Sequence, residues 1–164
     1  MVPGGKNEAD SDRGQSYMML DVDWNWLPGE DHGNPAWKLD RVLYALVAPE
    51  THEVVYIGKS WGPVRRRWLA KDKEGLWKHL EQKLGMNKHG FVVGIVDPQK
   101  RYTLTTKLLQ DIEGLLIYEV KPPGNVQGRD SRGTCRPGMV VRCTGALAWP
   151  HPRRKFVDNG QGVT

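Results

Sequence analysis

The chain has 164 residues, of which 38% are hydrophobic and 26% are charged. This length suits one domain with a hydrophobic core and is too short for two full domains. No apolar run is long enough to cross a bilayer, and Met1 is not followed by a basic and apolar leader, so we expect a soluble, cytoplasmic protein without membrane partners. Two cysteines are too few for a disulfide framework, which excludes the small disulfide-rich secreted class.

The net charge of +5 combines two oppositely charged parts of the chain. Residues 1–36 contain two basic and seven acidic residues, a net charge of −5, so the rest of the chain carries +10. A body this basic favours a polyanionic partner, because each Lys or Arg that neutralises a phosphate releases condensed counterions. The charge therefore favours nucleic acid as the partner.

The N-terminal part is predicted to lie outside the folded body. Residues 1–16 are polar, rich in Gly and Asp and without apolar periodicity, so we expect a disordered tail. Residues 17–40 contain Trp24 and Trp26 in an acidic stretch that Pro and Gly interrupt, and we find no regular period in them. We expect an arm that packs on the body.

The body, residues 41–126, begins with a predicted hairpin and a helix. The apolar runs at 42–48 and 53–58 are separated by a short turn that contains Pro49, which predicts two paired strands. Gly62-Pro63 then precedes a helix predicted over 64–85, with an interruption near Gly75.

The second half of the body adds a strand and a helix. Residues 91–97 predict a third strand, and the apolar spacing over 103–120 predicts a helix that Thr105 or Thr106 caps. Residues 127–164 are basic, with little periodicity and a weak strand pattern at 139–142, so we expect a basic C-terminal extension.

Five residues of the body stand in a recognisable pattern. Tyr44 lies on the first strand, Tyr56-Ile57-Gly58 ends the second, and Arg66 follows Tyr56 by ten residues. The segment from Glu113 to Asn125 is similar to the pattern E-x-x-L-I-x-x-x-x-P-x-x-N. In these features the chain resembles the GIY-YIG nuclease superfamily over about residues 42–125. Val42-Leu43-Tyr44 keeps only the tyrosine of the first signature element, whereas Tyr56-Ile57-Gly58 matches the second in full.

The resemblance implies an α/β fold: a small three-stranded antiparallel sheet flanked by helices, which the order of the predicted elements also fits. In this chain the fold would carry the N-terminal arm and the basic C-terminal extension. The implied activity is divalent-metal-dependent endonucleolytic hydrolysis of DNA phosphodiester bonds. A monomer and a homodimer are both compatible with it.

The resemblance also implies roles for single residues. Glu113 would bind Mg²⁺ or Mn²⁺, since a carboxylate is a hard oxygen ligand, and the planar fork of Arg66 would clamp the scissile phosphate. Tyr44 and Tyr56 would place hydroxyls near water and phosphate, with Tyr56 as a general base, and Asn125 would orient the site. Further contacts to nucleic acid are expected from Gly58, Lys59, Arg65, Arg67, Lys71, Arg153 and Arg154.

Two alternatives remain open. Many members of the superfamily place His or Tyr one helical turn after the arginine, where this chain has Ala70, so a binding protein that retains the fold without strong catalysis is one alternative; His79 or His52 is a candidate replacement for the missing group. The other is an interaction protein whose acidic arm covers the basic body. Three tryptophans near the expected site are interpreted as packing residues rather than stacking platforms: Trp61, Trp68 and Trp77.

Overall fold

A computed structural model describes residues 18–27, 33–68, 74–85, 90–145 and 155–160. The tail predicted over residues 1–16 lies outside these ranges. The described residues form six strands, three α-helices and one 3-10 helix: β1 (Met18–Leu27), the 3-10 helix (Pro35–Lys38), β2 (Val42–Val47), β3 (Val54–Ser60), α1 (Val64–Trp68), α2 (Glu74–Leu84), β4 (Gly90–Asp97), α3 (Thr106–Val120), β5 (Met139–Gly145) and β6 (Lys155–Val157). None of the helices within the described ranges has both the length and the apolar character needed to span a membrane.

All six strands belong to one mixed sheet with the order β3-β2-β4-β1-β5-β6. Strands β1 and β5 are parallel, whereas every other neighbouring pair is antiparallel. The predicted small three-stranded antiparallel sheet flanked by helices is therefore wrong. The three predicted strands, β2, β3 and β4, form only one end of a sheet twice that size, and segments expected to be an arm and an extension supply the rest.

Strand β1 occupies an interior position because its side chains alternate in polarity. Leu20, Val22 and Trp24 are buried, whereas Asp21 and Asp23 between them lie on the opposite face of the strand. Such a two-residue period places one apolar face against a core. The acidic residues of the stretch therefore do not prevent it from pairing on both sides, with β4 and with β5.

Two hydrophobic cores lie on the two faces of the sheet. On one face, α3 packs through Ile112, Leu115 and Leu116 against residues of all six strands. On the other face, the 3-10 helix, α1 and α2 cover only the β3-β2-β4 end, through Trp37, Val64 and Leu80 respectively. The β3 end is therefore covered on both faces, and it is the end that carries the residues of the sequence pattern.

The hairpin and the last predicted helix are confirmed. Strands β2 and β3 pair antiparallel with a register shift between Leu46 and Val47. Thr105 is the N-cap of α3, where its hydroxyl accepts a hydrogen bond from the Leu108 amide at 3.1 Å. The helix ends at Lys121, which adopts a left-handed conformation before Pro122. The helix predicted over 64–85 contains α1 and α2; Gly75, near which an interruption was predicted, lies in the first turn of α2, and residues 69–73 are outside the described ranges.

A buried ionic cluster connects the C-terminal segment to α3. Arg132 forms an ion pair with Asp158, and its Nη2 donates to the backbone oxygen of Asp111 at 3.1 Å. Arg136 donates through Nε to Asp111 at 2.9 Å and through its backbone amide to Asp158 at 2.7 Å. Since Arg132, Asp158 and Asp111 are almost fully buried, this set of four residues, called the clasp below, fixes the end of β6 and the segment between α3 and β5 to the helix.

Candidate functional site

Strand β3 is an edge strand, and the turn after α3 satisfies its outward-facing backbone groups. The amide of Gly124 donates to the oxygen of Val55 at 2.6 Å. The side chain of Asn125 accepts from the Ile57 amide at 2.9 Å through Oδ1 and donates to the Ile57 oxygen at 3.0 Å through Nδ2. A Cβ at position 124 would lie 2.4 Å from the Val55 oxygen, so the turn approaches the strand this closely only with glycine. Asn125 thus holds β3 in place by pairing with both backbone groups of Ile57.

The two tyrosines of the sequence pattern lie side by side on β2 and β3. Their ring centroids are 6.1 Å apart, and the ring of Tyr44 stacks on Phe91 of β4 at 5.5 Å. Gly58 is directly opposite Tyr44 in the sheet, and a Cβ there would lie 2.4 Å from the tyrosine ring. The Tyr44 ring therefore occupies the position that a side chain at residue 58 would need, and only glycine fits there.

The environment of Tyr44 keeps its hydroxyl protonated. Burial raises the pKa of Tyr44 far above the ordinary value near 10, the neighbouring Tyr56 raises it further, and the charge of Arg67 opposes this only in part. Tyr44 is only 2% exposed, whereas Tyr56 is half-buried. Tyr44 can therefore donate a hydrogen bond at neutral pH but cannot serve as a base.

An open cavity of about 450 Å³ lies beside the edge strand and is called the first cavity. Tyr44, Tyr56 and Gly58 line it from the sheet, and its charged side chains come from β3, α1 and α3. Three cations face one carboxylate among its lining residues, which are Tyr44, Tyr56, Gly58, Lys59, Ser60, Trp61, Gly62, Pro63, Arg66, Arg67 and Glu113. The net positive charge suits an anionic ligand.

Glu113 is the carboxylate of this cavity, and Lys59 is paired with it. The Lys59 Nζ lies 3.3 Å from the Glu113 Oε1, with side-chain exposures of 39% and 17%. One carboxylate together with water and substrate phosphate is a common ligand set for Mg²⁺, so Glu113 fits the expected ligand role once Lys59 moves aside. Within the described residues no group of three or more His, Cys, Asp or Glu could hold a metal by itself.

Glu113 also lines two neighbouring cavities. The second cavity, of about 480 Å³, lies between Tyr56, His79 of α2 and Asn125. The third cavity, of about 440 Å³, lies between α3 and residues 127–134. Glu113 thus lines all three cavities, of which the first two include residues of β3.

The structure brings most of the sequence-predicted residues together. Tyr44, Tyr56, Arg66 and Glu113 line the first cavity, as do Gly58, Lys59 and Arg67, while Asn125 lines the second. Arg65 is exposed on α1 and is absent from the lining of the first cavity. Lys71, Arg153, Arg154 and Ala70 lie outside the described residues.

Of the two candidate replacement histidines, only one lies at the site. His79 shares the second cavity with Tyr56 and Glu113. His52 lies in the turn between β2 and β3, where its ring meets Trp26 edge-on at 5.4 Å, and it lines none of the three cavities.

The sequence pattern left out two features of the first cavity. Trp61 lines it with 42% of its surface exposed, next to Arg41 at 6.0 Å from the ring centroid, so it is not a packing residue. Arg67, assigned to a neighbouring phosphate, faces the same cavity as Arg66. The sequence signal for Trp61 was its position between Ser60 and Gly62, two residue types that favour turns. In the structure the Ser60 hydroxyl donates to the Gly62 oxygen at 2.7 Å and stabilises this turn.

Comparison with protein-family models, with curated proteins and with solved structures gave no match to this chain.

Proposed function

We propose that the protein is a divalent-metal-dependent DNA endonuclease of the GIY-YIG type. One observation carries the proposal. Residues separated by up to 69 positions in the sequence, from Tyr44 to Glu113, line a single cavity together with Arg66. The resemblance was inferred from residue types and their spacing along the sequence, so the convergence of these residues in the folded chain supports it.

The cavity offers the groups that hydrolysis of a phosphodiester needs. Arg66 and Arg67 would hold the phosphate and stabilise the charge that develops on it in the transition state. Tyr44, a neutral phenol, would donate a hydrogen bond to a phosphate oxygen or to the attacking water. Tyr56 is the more exposed tyrosine of the pair and would accept the proton of that water.

Glu113 would hold the metal ion. Its carboxylate faces the same cavity as Arg66 and is partly exposed, so a ligand can reach it. A divalent ion supplies charge neutralisation at the phosphate when it is bound. Asn125 contributes indirectly, because it fixes the strand that carries Tyr56 and Gly58.

Cleavage of supercoiled plasmid and of branched and linear oligonucleotides tests the proposal. The wild type is assayed with Mg²⁺, Mn²⁺ or EDTA beside two variants of α3, Glu113→Gln and Glu119→Gln. The second makes the same chemical change on the same helix at a residue that lines none of the three cavities. We expect metal-dependent nicking that Glu113→Gln abolishes and Glu119→Gln retains. Equal activity of all three proteins would reject Glu113 as the ligand, and absence of cleavage by the wild type would reject the nuclease.

A second candidate function is nucleic-acid binding without cleavage. The ion pair between Lys59 and Glu113 favours it, because a carboxylate neutralised by lysine is less available to a metal. Steeply salt-dependent binding without metal-dependent nicking would select this alternative.

Trp61 provides a test of nucleic-acid binding that does not depend on cleavage. A base stacked on an aromatic side chain contributes roughly 1–3 kcal/mol, so Trp61→Ala should weaken oligonucleotide binding at least fivefold. Trp26→Ala is a matched control, since Trp26 is 41% exposed on β1 and lines none of the three cavities. Equal binding by both variants would exclude Trp61 as a stacking platform.

A further inference from the structure

The third cavity has the form of a ligand site, although of the sequence pattern only Glu113 and Ile117 line it. Its volume of about 440 Å³ falls within the range of roughly 300–1,000 Å³ that is typical of small-molecule sites. Its lining is polar and rich in glycine: Gln110, Glu113, Gly114, Ile117, Gln127, Gly128, Ser131, Arg132, Gly133 and Thr134. The three glycines of the lining have no side chains and leave space for a ligand in the cavity.

A buried cation borders this cavity with an unused donor. Arg132 is 3% exposed, and its two terminal nitrogens bind Asp158 and the Asp111 oxygen. Its Nε has no hydrogen-bond partner among the described residues. A Cβ at Gly114 would lie 3.9 Å from this Nε, so the guanidinium lies directly beside α3 at Gly114. A buried N–H donor without a partner is costly, and a bound acceptor would remove the cost.

The local charge balance favours an anion. Asp158 and Asp111, the carboxylates nearest to Arg132, are each paired with a guanidinium of the clasp. Lys107 adds a third cation within 3.2 Å of Asp111. Glu113 of the cavity is paired with Lys59, so these pairs together hold four cations, Lys59, Lys107, Arg132 and Arg136, against three carboxylates.

The position of the cavity identifies the anion. Glu113 lines the third cavity as well as the first, which also contains Arg66. A strand whose scissile phosphate lies between Arg66 and Glu113 would place a neighbouring nucleotide across Glu113, on the far side from Arg66. Successive phosphates of a nucleic acid would then lie in successive cavities.

We propose that the third cavity binds a non-scissile phosphodiester of the substrate strand, with the Nε of Arg132 and the side chains of Ser131 and Gln110 as donors. This inference rests on the proposed nuclease function and adds to it the direction in which the strand runs over the site.

Charge substitutions at Gly133 test the proposal without disturbing the clasp. Nothing lies within 4 Å of a Cβ built at Gly133, and its backbone is outside the left-handed region, so both Gly133→Lys and Gly133→Glu can fold. Ile95→Lys and Ile95→Glu form the control pair, because Ile95 is 41% exposed on β4 and lines none of the three cavities. Binding of a fluorescent oligonucleotide, single-stranded and duplex, is measured by anisotropy in EDTA over a range of salt.

We expect Gly133→Lys to bind about tenfold more tightly than Gly133→Glu at low salt, whereas the Ile95 pair should differ by less than about twofold. For single strands the salt dependence should steepen with lysine, by up to about 0.7 in the log–log slope, which is the contribution of one phosphate. A ratio at Gly133 no larger than at Ile95 would overturn the subsite.

Neutral methylphosphonate linkages, introduced one at a time, locate the contact. A neutral linkage at the contacted position should weaken binding. Because coupled contacts are non-additive, this loss of affinity should be larger in Gly133→Lys, whose lysine also contacts that phosphate, and should disappear in Gly133→Glu. Identical penalty profiles in both variants would overturn the inference while leaving the nuclease intact. If the wild type neither binds nor cleaves, the proposed function fails first, and the subsite fails with it.

Discussion

Two ion pairs beside α3 differ in their access to solvent. Lys59 and Glu113 face the first cavity with side-chain exposures of 39% and 17%, and each can exchange its partner for water or a ligand. Arg132 and Asp158 have exposures of 2% and 1%, and hydrogen bonds to the surrounding backbone hold them in place. The same chemical pairing can therefore serve recognition at one place and stability at the other, depending on burial.

The difference has an energetic origin. Breaking a buried pair leaves one charge in a medium that solvates it poorly, whereas an exposed pair is replaced by hydration at little cost. We therefore expect the pair in the clasp to dominate stability and the pair in the cavity to affect ligands.

Removing the buried cation should have the largest effect. Arg132→Met leaves Asp158 buried and unpaired, so we expect the free energy of unfolding to fall by about 3–5 kcal/mol, measured by urea denaturation. Arg142→Met is the matched control, since Arg142 pairs with Asp21 through two hydrogen bonds of 2.8 and 3.0 Å at the exposed surface of β5 and β1. The control should cost less than about 1 kcal/mol; equal losses would show that burial does not distinguish the two pairs.

A tight contact in the cavity should have an intermediate effect. Gly58→Ala places a methyl group against the ring of Tyr44, and overpacking of this kind costs about 1–3 kcal/mol. Gly62→Ala changes the turn next to the same cavity, where a Cβ meets nothing within 4 Å. We expect thermal unfolding to separate the two variants clearly, with Gly62→Ala close to the wild type. Equal melting temperatures would mean that Tyr44 moves aside freely.

The clasp should also produce a smaller effect at acid pH. Burial by itself raises the pKa of Asp158, but hydrogen bonds from the Arg136 amide and from Arg132 outweigh it, and the pKa lies below the ordinary value. The folded state thus binds the proton more weakly than the unfolded chain. The ionised Asp158 carboxylate therefore contributes its full stabilisation above the pKa of the unfolded chain, about 3.9, and this stabilisation is lost as the pH falls through the lower pKa of the folded state.

Circular dichroism against pH checks this sign. Asp158→Asn removes the titrating group, so its stability should be lower at neutral pH and should change less below about pH 4 than that of the wild type. A parallel decline of the two proteins in acid would show that other carboxyl groups control acid unfolding.

The smallest effect on stability is expected from the exposed pair. Lys59→Met should change the free energy of unfolding by less than about 1 kcal/mol, because both partners reach solvent. It frees the Glu113 carboxylate, so the Mg²⁺ concentration for half-maximal cleavage should fall about fivefold. Arg65→Met, at an exposed cation outside the first cavity, is the control for general charge loss. An unchanged metal requirement would show that Lys59 does not compete with the ion.

Local patterns predicted the β3 end of the molecule and its site. The apolar runs of β2 and β3 and the helical spacing of α3 are strong local signals, and the residue spacing from Tyr56 to Arg66 and from Glu113 to Asn125 selected side chains that lie together. Helix α3 packs against β3, so the elements with strong local signals contact one another.

At the other end of the sheet only β5 had a local signal, the weak strand pattern at 139–142, and the pairing of its strands was not predicted because it is non-local. Leu20, Val22 and Trp24 alternate with polar residues in β1, and this two-residue period was a usable signal that the acidic composition obscured. Strand β6 has only three residues, which is too short for any periodicity. The parallel pairing of β1 with β5 joins distant segments, and no local pattern specifies it.

The interior position of β1 has a consequence for the order of folding. Residues separated by 121 positions meet where Asp21 lies beside Arg142, so the sheet cannot be completed until the ribosome has released most of the chain. Long-range pairing of this kind slows folding. Until β5 arrives, one edge of β1 remains unpaired, and an open strand edge is a site of aggregation. The order of pairing therefore predicts a stage in which β2, β3 and β4 can pair while one edge of β1 is still open.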